Sequence, residues 1–209
     1  MIAIIDYGRG NLFSIAQALR AIGQEYIITN NPDDIDASDH VLLPGVGAFG
    51  DAMNALKENN LIEALHRTKN NGKNILGICL GMQVLASHGE EFGDHEGLGY
   101  IAGTVSILKE AEKADKYSTK IPNIGWRKLF FTQDHSIINT SIKNPLVYFV
   151  HSYGFRCKNQ DNVLATIDVN GEDIPVIVAN ENVCGFQFHP EKSGELGLSI
   201  LDNYFKSKT

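Results

Sequence analysis

The chain has 209 residues, 43% of them hydrophobic and 21% charged, which is enough to close a substantial core within a single domain spanning 1–209. A formal net charge of −7 opposes non-specific binding to nucleic acid or to an anionic membrane, and so favours small-molecule chemistry. The three scattered cysteines, Cys79, Cys157 and Cys184, lack C-x-x-C spacing and read as free thiols rather than disulfides or zinc ligands, while the start MIAIIDYG reads as no secretory signal and no apolar run spans a membrane, so the expected location is cytoplasmic.

In chain order, Ile2 to Ile5 form an apolar run that predicts a buried strand. In NLFSIAQALRAIG, Leu12, Ile15, Ala16, Leu19 and Ile22 share one helical stripe between Asn11 as N-cap and Gly23 as the stop. Strands are predicted next at Tyr26–Thr29, Val41–Leu43 and Ile75–Ile78, with helical patterns over Ala52–Lys57, Leu61–Lys69 and Met82–Ala86. This alternation predicts an α/β fold with a mostly parallel sheet and flanking helices. After Gly97, strand-like segments at Tyr100–Leu108, Leu146–His151, Val163–Val169, Pro175–Ala179 and Gly185–Phe188 follow one another through turns, which predicts additional antiparallel strands in the C-terminal half. Residues 109–120 are charged without apolar periodicity and read as an exposed loop. A last helix, from about Glu195 to Lys206, turns Leu198, Leu201 and Phe205 inward.

Within NILGICLGMQVLA, Cys79 lies between Gly77 and Gly81 just after a predicted strand. Gly-x-nucleophile-x-Gly at that place is the pattern of a nucleophile elbow, which presents the thiol at a helix N-terminus where a thiolate is favoured. A buried cysteine acting as a small hydrophobe is the plainer reading. A thiolate nucleophile needs a base that a third group orients, and GFQFHPEKSG supplies His189 and Glu191, two residues apart at the end of an alternating strand. In LLPGVGAFG, glycines flank Val46, so backbone N–H groups can approach a ligand as an oxyanion hole requires, and Leu80 after the nucleophile supplies a second N–H. No G-x-x-x-x-G-K-[ST] follows, which argues against a nucleotide phosphate cradle.

The segments DYGRGN, LLPGVGAFGDAM, GICLGMQ, GLG, IPNIGW, YFVHSY and GFQFHPEKSG occur in this order over essentially the whole chain. Together they resemble the class I glutamine amidotransferases, and more narrowly the glutaminase subunits of imidazole glycerol phosphate synthase in histidine biosynthesis. The resemblance implies a flavodoxin-like fold with no cofactor and no metal. It implies that Cys79 attacks the side-chain amide of L-glutamine to form a thioester, that His189 moves the protons and that Glu191 orients it. Val46 and Leu80 would hold the oxyanion through their N–H groups. Gly47 and Gln83 would lie along the glutamine, and Glu91, His151, Ser152 and Tyr153 would recognise its α-amino and α-carboxylate ends. The resemblance further implies a TIM-barrel cyclase partner that receives the ammonia through a channel, with Asn11, Trp126, Tyr148 and Lys192 near the docking face.

The chain departs from the family's wording at Asn123 and Arg127, where histidine and asparagine are expected, and in HSYGFRC, which follows the recognition strand where the histidine-pathway subunits often vary. That leaves a paralogue feeding ammonia to another acceptor, such as a surface sugar, as an alternative. A non-catalytic regulatory or scaffolding subunit is a reading of a different class, and a cysteine peptidase or γ-glutamyl hydrolase is a third.

Overall fold

The computed structural model describes residues 1–111, 118–138 and 140–207. The first half runs β1 (Ile2–Ile5), α1 (Leu12–Ala21), β2 (Tyr26–Thr29), α2 (Pro32–Ala37), β3 (His40–Leu43), α3 (Phe49–Glu58), α4 (Leu61–Asn70), β4 (Asn74–Ile78) and α5 (Leu80–Gln83). The second half runs β5 (His88–Gly89), β6 (His95–Glu96), β7 (Gly103–Ile107), β8 (Asn123–Lys128), β9 (Phe130–Phe131), β10 (Leu146–His151), β11 (Tyr153–Cys157), β12 (Val163–Val169), β13 (Glu172–Asn180), β14 (Val183–Phe186) and α6 (Gly194–Lys206).

The main sheet is 8-stranded, in the order β2-β1-β3-β4-β14-β13-β12-β9. From β2 to β14 the pairings are parallel, and β13, β12 and β9 extend the sheet antiparallel. β1 shows why its residues form a central strand: Ile2 and Ile4 enter one core and Ala3 and Ile5 the other, so an unbroken apolar run serves both faces. α1 is capped as its sequence predicts, with the Asn11 side chain accepting from the Ser14 N–H at 3.2 Å and Gly23 in the left-handed region at φ 73°.

Several boundaries differ from the sequence reading. β14 covers Val183–Phe186 rather than Gly185–Phe188, because Val183 and Cys184 pair with Ile75 and Leu76 while the chain beyond Phe186 peels away. α5 begins at Leu80 and ends at Gln83, after which the chain continues in turns. The sequence reading contains neither α2 nor the strands β5, β6, β8, β9 and β11. The remaining strands divide: among the described residues β8 pairs antiparallel with β10 in a two-stranded sheet, and β11-β7-β5-β6 form a separate four-stranded one in which β5 and β7 run parallel. Of the charged loop expected at 109–120, residues 112–117 lie outside the described residues. Among the described residues, no helix is long and apolar enough to cross a membrane.

The register of three adjacent parallel strands positions the site. Leu43 at the end of β3 pairs with Gly77, and Ile78 at the end of β4 pairs with Phe186 at the end of β14. The segments that follow these strands therefore leave the sheet side by side at its carboxyl edge, where open parallel sheets place their ligands. They are the Pro44-Gly45-Val46-Gly47 turn, Cys79, and the stretch from Gln187 to His189.

Candidate active site

Cys79 has φ 56° and ψ −113°, a strained conformation for a residue with a side chain. The flanking glycines make the turn possible by packing. A Cβ on Gly77 would lie 2.5 Å from the Gly81 carbonyl oxygen, and one on Gly81 would lie 1.9 Å from that of Leu43. The start of α5 thus folds back onto β4 and presses against β3, and only hydrogen fits at both places. The Cys79 N–H donates to the Phe186 carbonyl at 2.7 Å, tying the elbow to β14. The residue is only 7% exposed, so the thiol is presented at the floor of a cavity of about 370 Å³ rather than at the open surface.

His189 shares that cavity, and its Nδ1 lies 2.9 Å from Glu191 Oε1, with the Glu191 side chain 1% exposed. Burial opposes a charge on His189, but hydrogen bonding to Cys79 and Glu191, and then their charges, outweigh it and raise its pKa. Nε2 is buried with no partner of strict hydrogen-bond geometry among the described residues, which leaves it free to meet the thiol or a substrate atom in the cavity. The backbone of His189 is strapped to β10. The His189 N–H donates to the Tyr148 carbonyl at 3.0 Å, and Ser193 Oγ donates to the His189 carbonyl at 2.6 Å while accepting from the Tyr148 N–H at 2.9 Å.

Val46, Gly47 and Leu80 line the same cavity. The turn that carries Val46 lies tightly on the elbow, since a Cβ on Gly45 would sit 2.8 Å from both Gly81 N and Leu80 Cβ. Leu80 opens α5, so its N–H has no helical partner one turn back. Glu91 is in the lining too, and its Oε2 accepts from the Phe49 N–H at 2.8 Å, holding the carboxylate at the N-terminus of α3. Gln83 Nε2 donates to the Tyr153 carbonyl and to Gln187 Oε1, both at 3.0 Å. His151, Ser152 and Tyr153 complete the far wall, where both ring nitrogens of His151 are engaged within the protein. Burial drives the His151 pKa down to about 4, so the ring is neutral. Depressions of about 750 and 990 Å³ elsewhere are larger, but no cysteine lines either of them.

Residues 3–207 match the family model for glutamine amidotransferase class-I. The chain belongs to this family. The chain is 46% identical over 204 residues to the imidazole glycerol phosphate synthase subunit HisH of Bacillus cereus, covering 98% of this chain and 93% of that protein. The HisH subunit of a Geobacillus species is 44% identical over 204 residues, with 98% and 95% covered. Among solved structures, PurLQS from Thermotoga maritima superposes with a TM-score of 0.72 at 20% identity, covering 98% of this chain and 96% of that one. The glutaminase domain of Trypanosoma brucei CTPS with bound acivicin gives 0.65 at 17%, covering 100% and 94%. At those identities the two structures speak for the fold alone.

In this amidotransferase the residues expected near a partner lie outside the cavity. Asn11 is exposed at the start of α1, and Lys192 is exposed at the end of the His189-Pro190-Glu191 turn. Trp126 is 52% exposed and meets the half-buried Tyr148 edge to face at 6.1 Å. Ile124 and Val150, paired across β8 and β10, are exposed beside them, and Val150 also lines the cavity, so an apolar strip reaches the cavity mouth. Sequence reasoning missed Gln187, which is fully buried with its Nε2 donating to Cys79 Sγ at 3.8 Å. Its signal was present: in FQFHP it precedes His189 by two, the spacing that puts both on one side of an extended segment.

Proposed function

We infer that the chain is the glutamine-hydrolysing subunit of imidazole glycerol phosphate synthase, a single cytoplasmic glutaminase domain acting in histidine biosynthesis. Cys79 attacks the side-chain amide carbon of L-glutamine, and the Val46 and Leu80 N–H groups stabilise the tetrahedral oxyanion. His189 transfers its proton to the departing ammonia, leaving a thioester. It then takes a proton from water, which attacks the thioester carbon and releases glutamate and the thiolate. Glu191 holds Nδ1 and stabilises the imidazolium at each proton transfer. Gly47 and Gln83 flank the bound glutamine, Glu91 pairs with its α-amino group, and Ser152 and Tyr153 meet its carboxylate, backed by His151.

The observation that carries this reading is the placement of a strained cysteine elbow, the His189–Glu191 pair at 2.9 Å and two candidate oxyanion turns around one cavity. The apolar strip of Ile124, Trp126 and Val150 supports docking of a TIM-barrel cyclase beside Asn11, Tyr148 and Lys192. Ammonia released into bulk water at neutral pH is protonated and loses its nucleophilicity, which favours delivery through such a docked partner. Replacing Cys79 by serine tests the chemistry. Ammonia release from glutamine in the reconstituted complex should fall at least about 10⁴-fold, with the thermal transition unchanged. Turnover that survives the substitution removes Cys79 as the nucleophile.

A further inference from the structure

A path of hydrogen bonds leads from β8 to the nucleophile. Arg127 Nε donates to Asn123 Oδ1 at 2.8 Å, four residues back along the strand. Asn123 Nδ2 lies 2.9 Å from His151 Nε2, and His151 Nδ1 lies 2.8 Å from the Tyr153 carbonyl oxygen. That oxygen also accepts from Gln83 Nε2, which donates in turn to Gln187 Oε1, and Gln187 Nε2 faces the Cys79 sulfur.

The directions of these bonds are forced. A guanidinium only donates, so Asn123 must turn its oxygen to Arg127 and its NH₂ to His151. His151 Nε2 must then accept and Nδ1 must carry the hydrogen. The Tyr153 carbonyl, which only accepts, demands the same arrangement from the other side. A neutral ring is required throughout, and Asn123 is 0% exposed, so bulk water does not compete for these bonds. Burial is the main force keeping His151 neutral, and the charges of Arg156, His189 and Arg127 act in the same direction, opposed by the hydrogen bond to the Tyr153 carbonyl.

We propose that Arg127 and Asn123 are positioning residues for glutamine hydrolysis, locking His151 in its Nδ1–H tautomer and thereby setting the Gln83–Gln187 pair against the nucleophile. Arg127 neighbours Trp126 on β8, so a partner docked on that strand bears on the relay and, through it, on the thiol. The proposal rests on the glutaminase reading for its kinetic consequence, while the tautomer is independent of it.

Long-range ¹H–¹⁵N spectra of the free chain at neutral pH should show His151 Nδ1 protonated and Nε2 bare. Asn123→Asp, which can only accept, should place a proton on Nε2. In the complex with the cyclase, Asn123→Asp and Arg127→Gln should lower kcat for ammonia release about tenfold, the worth of one buried hydrogen bond, with KM little changed. Arg127→Lys keeps a donor-only group and should retain most of the rate, whereas glutamine can present either end of its amide to Asn123. Protonated Nε2 in the unsubstituted chain, or equal kcat for the lysine and glutamine variants, overturns the proposal. An unsubstituted complex that releases no ammonia would instead sink the glutaminase reading and leave the tautomer result standing.

Discussion

The cavity holds a buried histidine on each of two sides, His189 at the carboxyl edge of the main sheet and His151 on the wall made by β10 and β11; they are 4% and 6% exposed. Burial works against a charge on both. At His189 the neighbours are a thiol and a carboxylate, and these more than offset it. At His151 they are an amide and a peptide carbonyl, the single hydrogen bond that favours the charge is too weak, and the pKa settles near 4. At nearly equal depth, the charge of the neighbours raises the pKa of one imidazole and leaves the other neutral.

The sharpest way to break that contrast is to make the first site resemble the second. Glu191→Gln keeps an acceptor near Nδ1 and removes the charge. It should lower kcat/KM for glutamine about a thousandfold, or roughly 4 kcal/mol of transition-state stabilisation, and the His189 ring resonances should titrate at lower pH. The linkage has a definite sign. A raised histidine pKa contributes stability that is fully present below the unfolded value of 6.5 and is lost as pH rises through the folded value. The variant should therefore lose less stability than the parent on the alkaline side. Unchanged kinetics and an unchanged titration would show that the carboxylate is not what distinguishes the two histidines.

The two sides were also unequally legible in sequence. The floor is local: β4, the glycine pair and the start of α5 lie within residues 74–83, and period and spacing name them directly. The wall comes from pairings between distant segments. β8 carries Gly125 at φ 131° in its middle and, among the described residues, pairs with β10 alone, some twenty residues on, so nothing in IPNIGWRK alone marks it as a strand. The relay through Asn123 and His151 was invisible for the same reason, although both residues had been singled out separately. α2 was a lesser omission. PDDIDA offers only Ile35 to a core, yet Asn31 capping the Asp33 N–H and Pro32 in the first turn were start signals that could have been used. The sequence suggested an exposed thiol because an elbow presents its nucleophile, but depth is set by the turns of β3 and β14 folding around it.

The second side can be tested through its pH dependence. Because the folded His151 pKa is depressed to about 4, its contribution to stability is complete above 6.5 and is lost as pH falls towards 4. The loss should reach roughly 3 kcal/mol, measured as the difference in urea-unfolding free energy between pH 6.5 and pH 4. His189 is protonated in both folded and unfolded states over most of that window and adds little slope there. His151→Gln should flatten the curve. A parent protein with the same slope as the variant would mean that His151 is not held neutral.

The smallest expected effect lies outside the cavity, on the apolar strip proposed for docking. Trp126 is half exposed and packs on Tyr148, whose backbone carbonyl and N–H hold the His189 turn through direct and Ser193-mediated bonds. Trp126→Ala removes the aromatic anchor while leaving that backbone strap and every side chain of the relay in place. Partner affinity should weaken by about 2 kcal/mol, or roughly thirtyfold in Kd, as read by titration calorimetry against the cyclase. Turnover at saturating partner should be close to that of the parent, because the residues around the thiol are unaltered. If affinity is unchanged, the apolar strip is not the docking surface; if affinity holds and turnover collapses, Trp126 acts on the His189 strap from within the subunit.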